Sequence, residues 1–216
     1  RTLYFDCFSG LAGDMTLGAL LDLGLDLDQM ESALRTLPLE GWAISRADVM
    51  RMGIRGVDVQ VGIHGLKEGP AIPANENETV PGQPQRNHEH GHRHYSEIVS
   101  IIDGGDLPQP VRERARSAFD ALADAEARVH GIEREAVHFH EVGAVDSIID
   151  IVGTAWGLWK LGIHRVESAP PPMGRGFVAC AHGRMPLPAP ATLELLKGLP
   201  ITPCTLEREL VTPTGA

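Results

Sequence analysis

Two histidine-containing segments are the parts of this sequence best suited to metal chemistry. The first, His88-Glu89-His90-Gly91-His92-Arg93-His94, places four imidazoles within seven residues. Imidazole is a good ligand for nickel, copper and zinc. The alternate spacing in polar surroundings predicts metal capture or delivery by His88, His90, His92 and His94, whereas an incidental polar loop or a tag-like sequence is the alternative interpretation.

The second segment is His138-Phe139-His140-Glu141. His138 and His140 are two residues apart on a predicted strand, so both side chains leave the same face and can bind one ion. Asp146 and Asp150 lie four residues apart near the start of the next predicted helix and share one of its faces. We therefore predict a metal site with nitrogen and oxygen ligands, although this ligand set does not choose among nickel, zinc, manganese and iron. Compensation of the helix dipole is the alternative role for each aspartate.

A glycine-containing segment, Asp6-Cys7-Phe8-Ser9-Gly10-Leu11-Ala12-Gly13-Asp14-Met15, joins the first predicted strand to the first predicted helix. Backbone amides and the helix dipole can hold an anion at such a junction, and glycines allow close approach. Asp6 and Asp14 could instead bind a cation, and we favour helix capping for Asp14.

Two shorter patterns add candidates. Cys180-Ala181-His182 places a thiol and an imidazole on one strand face, which suits nickel or zinc binding or thiolate activation, whereas a buried structural cysteine is the alternative. Arg175 lies between two glycines and is suited to gripping a phosphate or carboxylate, although a surface turn explains the same residues.

The helices and strands that the sequence predicts around these residues indicate an α+β fold, with a mixed sheet packed against helices and no regular βαβ repeat. Strands are predicted at 2–5, 42–49, 57–63, 137–140, 165–169, 176–181 and 201–205, and helices at 15–21, 27–37, 96–103, 110–130, 145–161 and 191–197. Residues 64–94 are rich in Gly, Pro, Asn, Glu and His, which predicts a mobile His-rich loop. It divides an N-terminal part, 1–63, from a helical and β part, 95–216, that we expect to continue into a missing C-terminal domain.

Composition narrows the possible partners and location. The 216 residues are 43% hydrophobic and carry a formal charge of −10, without a stripe of lysine or arginine. Nucleic acid and anionic membranes are therefore poor candidate partners. The three dispersed cysteines fit neither a disulfide framework nor a zinc ribbon. No leader and no membrane-spanning stretch is recognisable, so we expect a cytoplasmic protein.

Four ordered blocks carry a resemblance that extends along the whole chain. They are Phe5–Met15, His138–Asp150, Ala181–Thr192 and Thr212–Gly215, accompanied by the His-rich insert. Together they resemble the LarC family of nickel-pincer cofactor biosynthesis proteins. The resemblance implies a nickel insertase of the lyase or chelatase class that inserts nickel into pyridinium-3,5-bisthiocarboxylic acid mononucleotide, forming nickel–sulfur bonds and a nickel–carbon bond. It also implies that CTP, with manganese or magnesium, binds a C-terminal region absent here.

The resemblance suggests a role for each candidate. His138 and His140 would present nickel, with Asp150, Asp6, His182 and the His-rich segment as further ligands. Glu141 or Asp146 would accept the substrate ring proton. Ser9, Gly10, Gly13, Asp14 and Arg175 would hold the substrate and its phosphate. The expected partners are this substrate, the C-terminal domain and further copies of the protein.

Two other functions remain open on the sequence. One is a nickel or zinc storage and delivery module that uses mainly the His-rich segment and has no catalysis of its own. The other is a metal-dependent hydrolase that uses Asp6, Asp14 and the His-Glu cluster, although no nucleophile is identifiable.

Overall fold

Helices and strands are interspersed through the described part of the chain, residues 1–63, 93–139, 142–180 and 183–216 of a computed structural model. This confirms the predicted α+β class. The helices are α1 (Gly13–Asp22), α2 (Leu27–Leu34), α3 (Tyr95–Gly104), α4 (Gln109–His130), α5 (Val145–Lys160) and α6 (Pro190–Leu195). The strands are β1 (Thr2–Phe5), β2 (Trp42–Arg51), β3 (Ile54–Ile63), β4 (Arg93–His94), β5 (His138–Phe139), β6 (Arg165–Ser168), β7 (Pro172–Met173), β8 (Gly176–Cys180), β9 (Gly183–Leu187) and β10 (Thr202–Pro203).

The strands pair two by two. Within the described ranges, β1 with β6 and β7 with β10 are parallel, whereas β2 with β3, β4 with β5 and β8 with β9 are antiparallel. Parallel and antiparallel pairing both occur, as expected of a mixed sheet, but they are found in five separate two-stranded pairs.

The hydrophobic core is built around α5. Ile148, Ile149 and Val152 of this helix are completely buried, and they belong to one cluster with residues of α1, α2, α3, α4 and β3. Two glycines of α5 permit a close approach of α1, since a Cβ atom on Gly157 would lie 3.0 Å from the Cδ1 atom of Leu20. Residues from both sides of the His-rich segment share this core. Their packing fixes the position of α5 between α1 and α4. Among the described helices, none is long and apolar enough to cross a membrane.

Local sequence signals explain several helix ends. The Asp26 carboxylate accepts a hydrogen bond of 2.8 Å from the Gln29 N–H at the start of α2, as a helix cap should. Gly162 ends α5 with a φ of +65°, and the Ile163 N–H donates to the Leu158 carbonyl at 2.9 Å. Pro190 is the first residue of α6.

Some boundaries were wrong. Arg93 and His94, predicted as the end of the mobile loop, form β4 because they pair with β5. Residues 183–187, for which no element was predicted, form β9, which pairs with β8 and includes Pro186. Proline is tolerated there because a strand in a two-stranded pair has a free edge. The remainder of the predicted loop, 64–92, lies outside the described residues.

Candidate functional site

Two histidines that are 44 residues apart in the sequence face each other across the β4–β5 pair. His94 is the register partner of His138, and the His94 Nε2 and His138 Nδ1 atoms are 3.3 Å apart. The two rings are nearly perpendicular, with centroids separated by 4.4 Å. The structure thus joins the last residue of one predicted metal-binding segment to the first residue of the other.

Backbone contacts hold this histidine pair in place. The Glu97 carboxylate accepts a hydrogen bond of 2.7 Å from the His94 N–H at the start of α3. The Tyr95 N–H donates to the Val137 carbonyl at 3.2 Å, and the Arg93 guanidinium donates to the Gly143 carbonyl. The last contact ties β4 to the turn that leads into α5, so the pair has a defined position before this helix.

The spacing of the pair fits two ligands of a single ion. Nitrogen ligands about 2.0–2.1 Å from a tetrahedral metal lie roughly 3.3–3.4 Å from each other. The same distance allows one ring to donate a hydrogen bond to the other when no ion is bound. Across the described ranges, no group of three or more His, Cys, Asp or Glu side chains is arranged to hold a metal ion. A complete site therefore needs ligands from elsewhere, and the next candidates in the chain are His140 and Glu141.

Asp150 is the most unusual carboxylic acid among the described residues. It retains only 9% of its accessible surface, and its Oδ1 atom has no hydrogen-bond partner in the described structure. Burial, followed by the negative charges of Asp14 and Asp146, raises the pKa of Asp150 from its ordinary value of 3.8 to about 8. The side chain is therefore largely protonated at neutral pH.

Asp14 and Asp146 occupy the same position in two different helices. Each is the second residue of its helix and accepts a hydrogen bond of 2.7 Å from the next backbone N–H. Their charges are favourable there because a helix N-terminus carries a partial positive charge. The N-cap residues themselves are Ala12 and Ala144, so the capping role predicted for Asp14 is wrong, and its charge acts from within the first turn.

The glycine-containing loop between β1 and α1 contacts Asp150 directly. A Cβ atom on Gly13 would lie 2.4 Å from the Asp150 Oδ2 atom, so only glycine permits this approach. Gly10 has a φ of +121° and donates its N–H to the Cys7 carbonyl at 3.0 Å. Asp6 and Ser9 are exposed. The loop therefore has a closed inner side against α5 and an open outer side.

A C-terminal segment, residues 206–215, covers another side of this loop. The Leu11 N–H donates to the Leu210 carbonyl at 2.8 Å, and the Thr212 N–H donates to the Leu11 carbonyl at 3.1 Å. Arg175 contacts the same segment through its N–H, which donates to the Leu206 carbonyl at 3.0 Å. Its exposed guanidinium lies 3.7 Å from the Glu207 carboxylate. The C-terminal segment thus contacts both candidate substrate-binding regions.

Buried Cys7 is a feature that the sequence analysis did not single out. Its thiol donates to the Ala169 carbonyl at 3.3 Å and lies 3.4 Å from the Ser168 hydroxyl. These contacts join the ends of β1 and β6 and favour a structural role.

Six predicted site residues lie outside the described residues, namely His88, His90, His92, His140, Glu141 and His182. Cys180 is the last residue of β8, and only its backbone is described. The roles assigned to all of these residues stay predictions.

Comparison with known proteins identifies the family. The family described as nickel insertion protein matches residues 3–216. A pyridinium-3,5-bisthiocarboxylic acid mononucleotide nickel insertion protein of Desulfitobacterium hafniense (strain DSM 10664 / DCB-2) is 46% identical over the whole chain, which covers 48% of that relative. The protein of the same name from Geobacillus kaustophilus (strain HTA426) is 45% identical over the whole chain, which covers 49% of it.

The chain therefore spans about half the length of these curated relatives. No solved structure matches it. Since the family match extends over nearly every residue, the resemblance found in the sequence is confirmed, and the chain belongs to the nickel insertion protein family.

Proposed function

We propose that this chain is the nickel-binding part of an insertase that places nickel in pyridinium-3,5-bisthiocarboxylic acid mononucleotide. The family supports nickel insertion, and the names of the two relatives above specify this substrate for them. The observation that carries the proposal is the separation of 3.3 Å between the His94 and His138 ring nitrogens. It matches the separation of two nitrogen ligands on one tetrahedral ion, and a slight movement of either ring would bring the pair to the shorter separation of adjacent ligands on a square-planar nickel ion.

Nickel is a substrate in this proposal. His94 and His138 bind it first, and His140 and Glu141 follow at once in the sequence as candidate further ligands. Imidazole suits nickel, and a site with few protein ligands leaves coordination positions for the two sulfur atoms of the organic substrate. The pair is half exposed, so an ion can enter from solvent.

The glycine loop and Arg175 are the proposed contacts for the nucleotide phosphate. The open side of the loop presents Ser9, four residues before the start of α1, and a phosphate is favoured at a helix N-terminus. The Arg175 guanidinium is exposed and can pair with a phosphate in place of its long contact with Glu207. Gly10, Gly13 and Asp14 shape the loop.

The proposal assigns CTP, with manganese or magnesium, to a C-terminal region of the whole protein. No step at the described residues of this chain requires them, and the described carboxylates do not form a group arranged for a metal ion. We further propose that the insertase is a lyase of the chelatase class and that this chain alone is inactive. The protein forms a homo-oligomer and is located in the cytoplasm.

Nickel titration of three variants tests the histidine pair. In a chain whose His88, His90 and His92 are changed to serine, we expect His94→Ala and His138→Ala each to lower nickel affinity by at least about tenfold, because loss of a group that merely orients a metal ligand already costs about that much. His164→Ala, an exposed histidine after α5, is the matched control and should leave the affinity unchanged. Equal affinity in all three variants would contradict the proposed site.

Mass spectrometry distinguishes insertion from storage. The full-length protein with the three serine substitutions should still convert the pyridinium substrate to its nickel complex at saturating nickel. A storage and delivery module would instead lose its nickel capacity and form no complex.

A further inference from the structure

A polar cluster joins both segments that carry the histidine pair to helix α4. The Tyr95 hydroxyl donates a hydrogen bond to the Asp120 carboxylate. The Arg134 guanidinium donates from its Nε and Nη2 atoms to the two oxygens of Asp124, each at 2.6 Å. These four residues are called the α4 cluster below. It connects three segments that are far apart in the sequence.

Two members of the α4 cluster lie close in sequence to the two histidines. Tyr95 follows His94 directly, and Arg134 begins a single 3-10 turn four residues before His138. The Val137 N–H donates to the Arg134 carbonyl at 3.1 Å, and the Val137 carbonyl accepts the Tyr95 N–H at 3.2 Å. Each histidine therefore has its own connection to α4, and a backbone hydrogen bond joins the two connected segments to each other.

The strands that carry the histidines are too short to hold the pair by themselves. Strands β4 and β5 contain two residues each, and even a longer two-stranded pair is only marginally stable in water. A metal site needs its ligands held within about 0.5 Å of the productive geometry. Helix α4 has 22 residues and buries Val111, Ala115 and Phe119 completely in the core. Attachment to this helix supplies the rigidity that the two strands lack.

The spacing of the two carboxylates on α4 favours a common role. Asp120 and Asp124 are four residues apart, so they lie on one face of the helix, where two like charges destabilise it. Both side chains are half-buried, and an ion pair that remains partly exposed adds little to stability. Stability alone is therefore a weak explanation of the α4 cluster. Fixing two neighbouring segments on successive turns of one helix accounts for it better.

We propose that Asp120 and Asp124 are positioning residues, which hold the histidine pair at the separation that lets both rings bind one nickel ion. The inference rests on the proposed function. Asp120 acts on β4 through Tyr95. Asp124 acts on β5 through Arg134. Neither carboxylate is a nickel ligand in this proposal, so each affects the ion only through the strand that it holds.

Nickel titration of the full-length protein with the three serine substitutions tests the inference. Tyr95→Phe removes one hydroxyl group and keeps the ring, and Asp124→Asn removes the charge that pairs with Arg134. We expect each variant to lower the nickel affinity by about tenfold, the lower end of the loss seen when a group that orients a metal ligand is removed.

A second contact between the same two helices provides the matched control. The Arg116 guanidinium on α4 donates to the Asp103 carboxylate near the end of α3 at 3.1 Å. Asp103→Asn weakens this link between α3 and α4 at the opposite end of α3 from His94. Its nickel affinity should equal that of the parent protein.

A double-mutant comparison separates positioning from general structural support. Once His94 is changed to alanine, no pair remains to be held at a fixed separation, so Tyr95→Phe should cause no further loss of nickel affinity. A general loss of structure would instead lower the affinity by the same factor in both backgrounds. Thermal unfolding without nickel verifies that each variant is folded.

The outcomes separate the two proposals. Parent affinity in either Tyr95→Phe or Asp124→Asn would overturn the positioning role, as would an equal loss from Tyr95→Phe with and without His94. The nickel site would stand in these cases, provided that His94→Ala and His138→Ala lower the affinity. Parent affinity in both histidine variants would overturn the proposed function itself.

Discussion

Two aspartates on one face of α5 illustrate how environment decides the chemistry of a residue. Asp146 is half-buried in the first turn and accepts the Ser147 N–H at 2.7 Å. Asp150, one turn later, is buried and has an unpartnered oxygen. Their spacing in the sequence made them equivalent candidates for a metal site. Only the packing of the glycine loop against Asp150 distinguishes the two residues.

The raised pKa of Asp150 predicts a specific dependence of stability on pH. The unfolded chain releases this proton near pH 3.8 and the folded chain near pH 8, so the folded state binds more protons throughout this window. The free energy of unfolding should therefore fall as pH rises from about 4 to about 8, by up to about 1.4 kcal/mol per pH unit for one group. Asp150→Asn should reduce this slope, as measured by denaturant unfolding at a series of pH values.

A matched control isolates the effect of burial in this pH experiment. Asp28→Asn removes an exposed carboxylate from the first turn of α2 and should leave the slope as in the wild type. An Asp150→Asn protein with the wild-type slope would show that Asp150 is ionised in the folded state.

The predictable residues are those whose role depends on near neighbours in the chain. Asp26 as a helix cap and Gly162 as a left-handed terminator follow from sequence alone, because their partners lie within a few residues. The meeting of His94 with His138 and the burial of Asp150 depend on contacts between distant segments. No local pattern contains that information.

At the scale of elements, close packing of helix α1 positions the candidate site. Gly18 on α1 lies against β3, where a Cβ atom would be 2.6 Å from the Val57 carbonyl oxygen. Gly153 on α5 lies against α1, where a Cβ atom would be 3.1 Å from the Leu17 Cδ2 atom. The same helix carries Gly13 and Asp14 in its first turn, so a displacement of α1 moves the loop that contacts Asp150.

Substitution of these two glycines should have unequal effects. Gly18→Ala meets a backbone oxygen that cannot rotate away, so we expect a net destabilisation of about 1–3 kcal/mol despite the better helix propensity of alanine. Gly153→Ala meets the end of a leucine side chain and should cost less. Thermal unfolding compares them with Gly56→Ala, where a Cβ atom has nothing within 4 Å. Equal melting temperatures for Gly18→Ala and Gly56→Ala would contradict the close contact.

The length of a helix or strand explains whether it could be predicted from the sequence. Long helices such as α4 and α5 were found because their apolar residues recur over several turns. Strands β4 and β7 contain two residues each, which is too short for alternation to be visible. They form only because a distant strand offers hydrogen bonds, and tertiary contacts of this kind are not encoded locally.

At the scale of the whole molecule, the two ends of the chain meet at the candidate site. Leu11 forms a parallel bridge with Val211, which is buried to 3% exposure beside Met173 and Leu196. A Cβ atom on Gly215 would lie 2.3 Å from the Leu11 carbonyl oxygen. The C-terminal segment therefore holds the glycine loop at Leu11, while α5 contacts it at Gly13.

Removal of residues 206–216 should release the loop around Leu11 and leave the β1–β6 pair intact. The loss of two backbone hydrogen bonds and of the buried Val211 side chain amounts to on the order of 3 kcal/mol. Hydrogen exchange should therefore accelerate at the Leu11 amide, which donates to Leu210. The Ala169 amide, which donates to Phe5 at the end of the β1–β6 pair, is the internal control and should stay protected. Unchanged exchange at Leu11 would mean that the loop holds its conformation without the C-terminal segment, and that phosphate binding on the loop is independent of residues beyond 205.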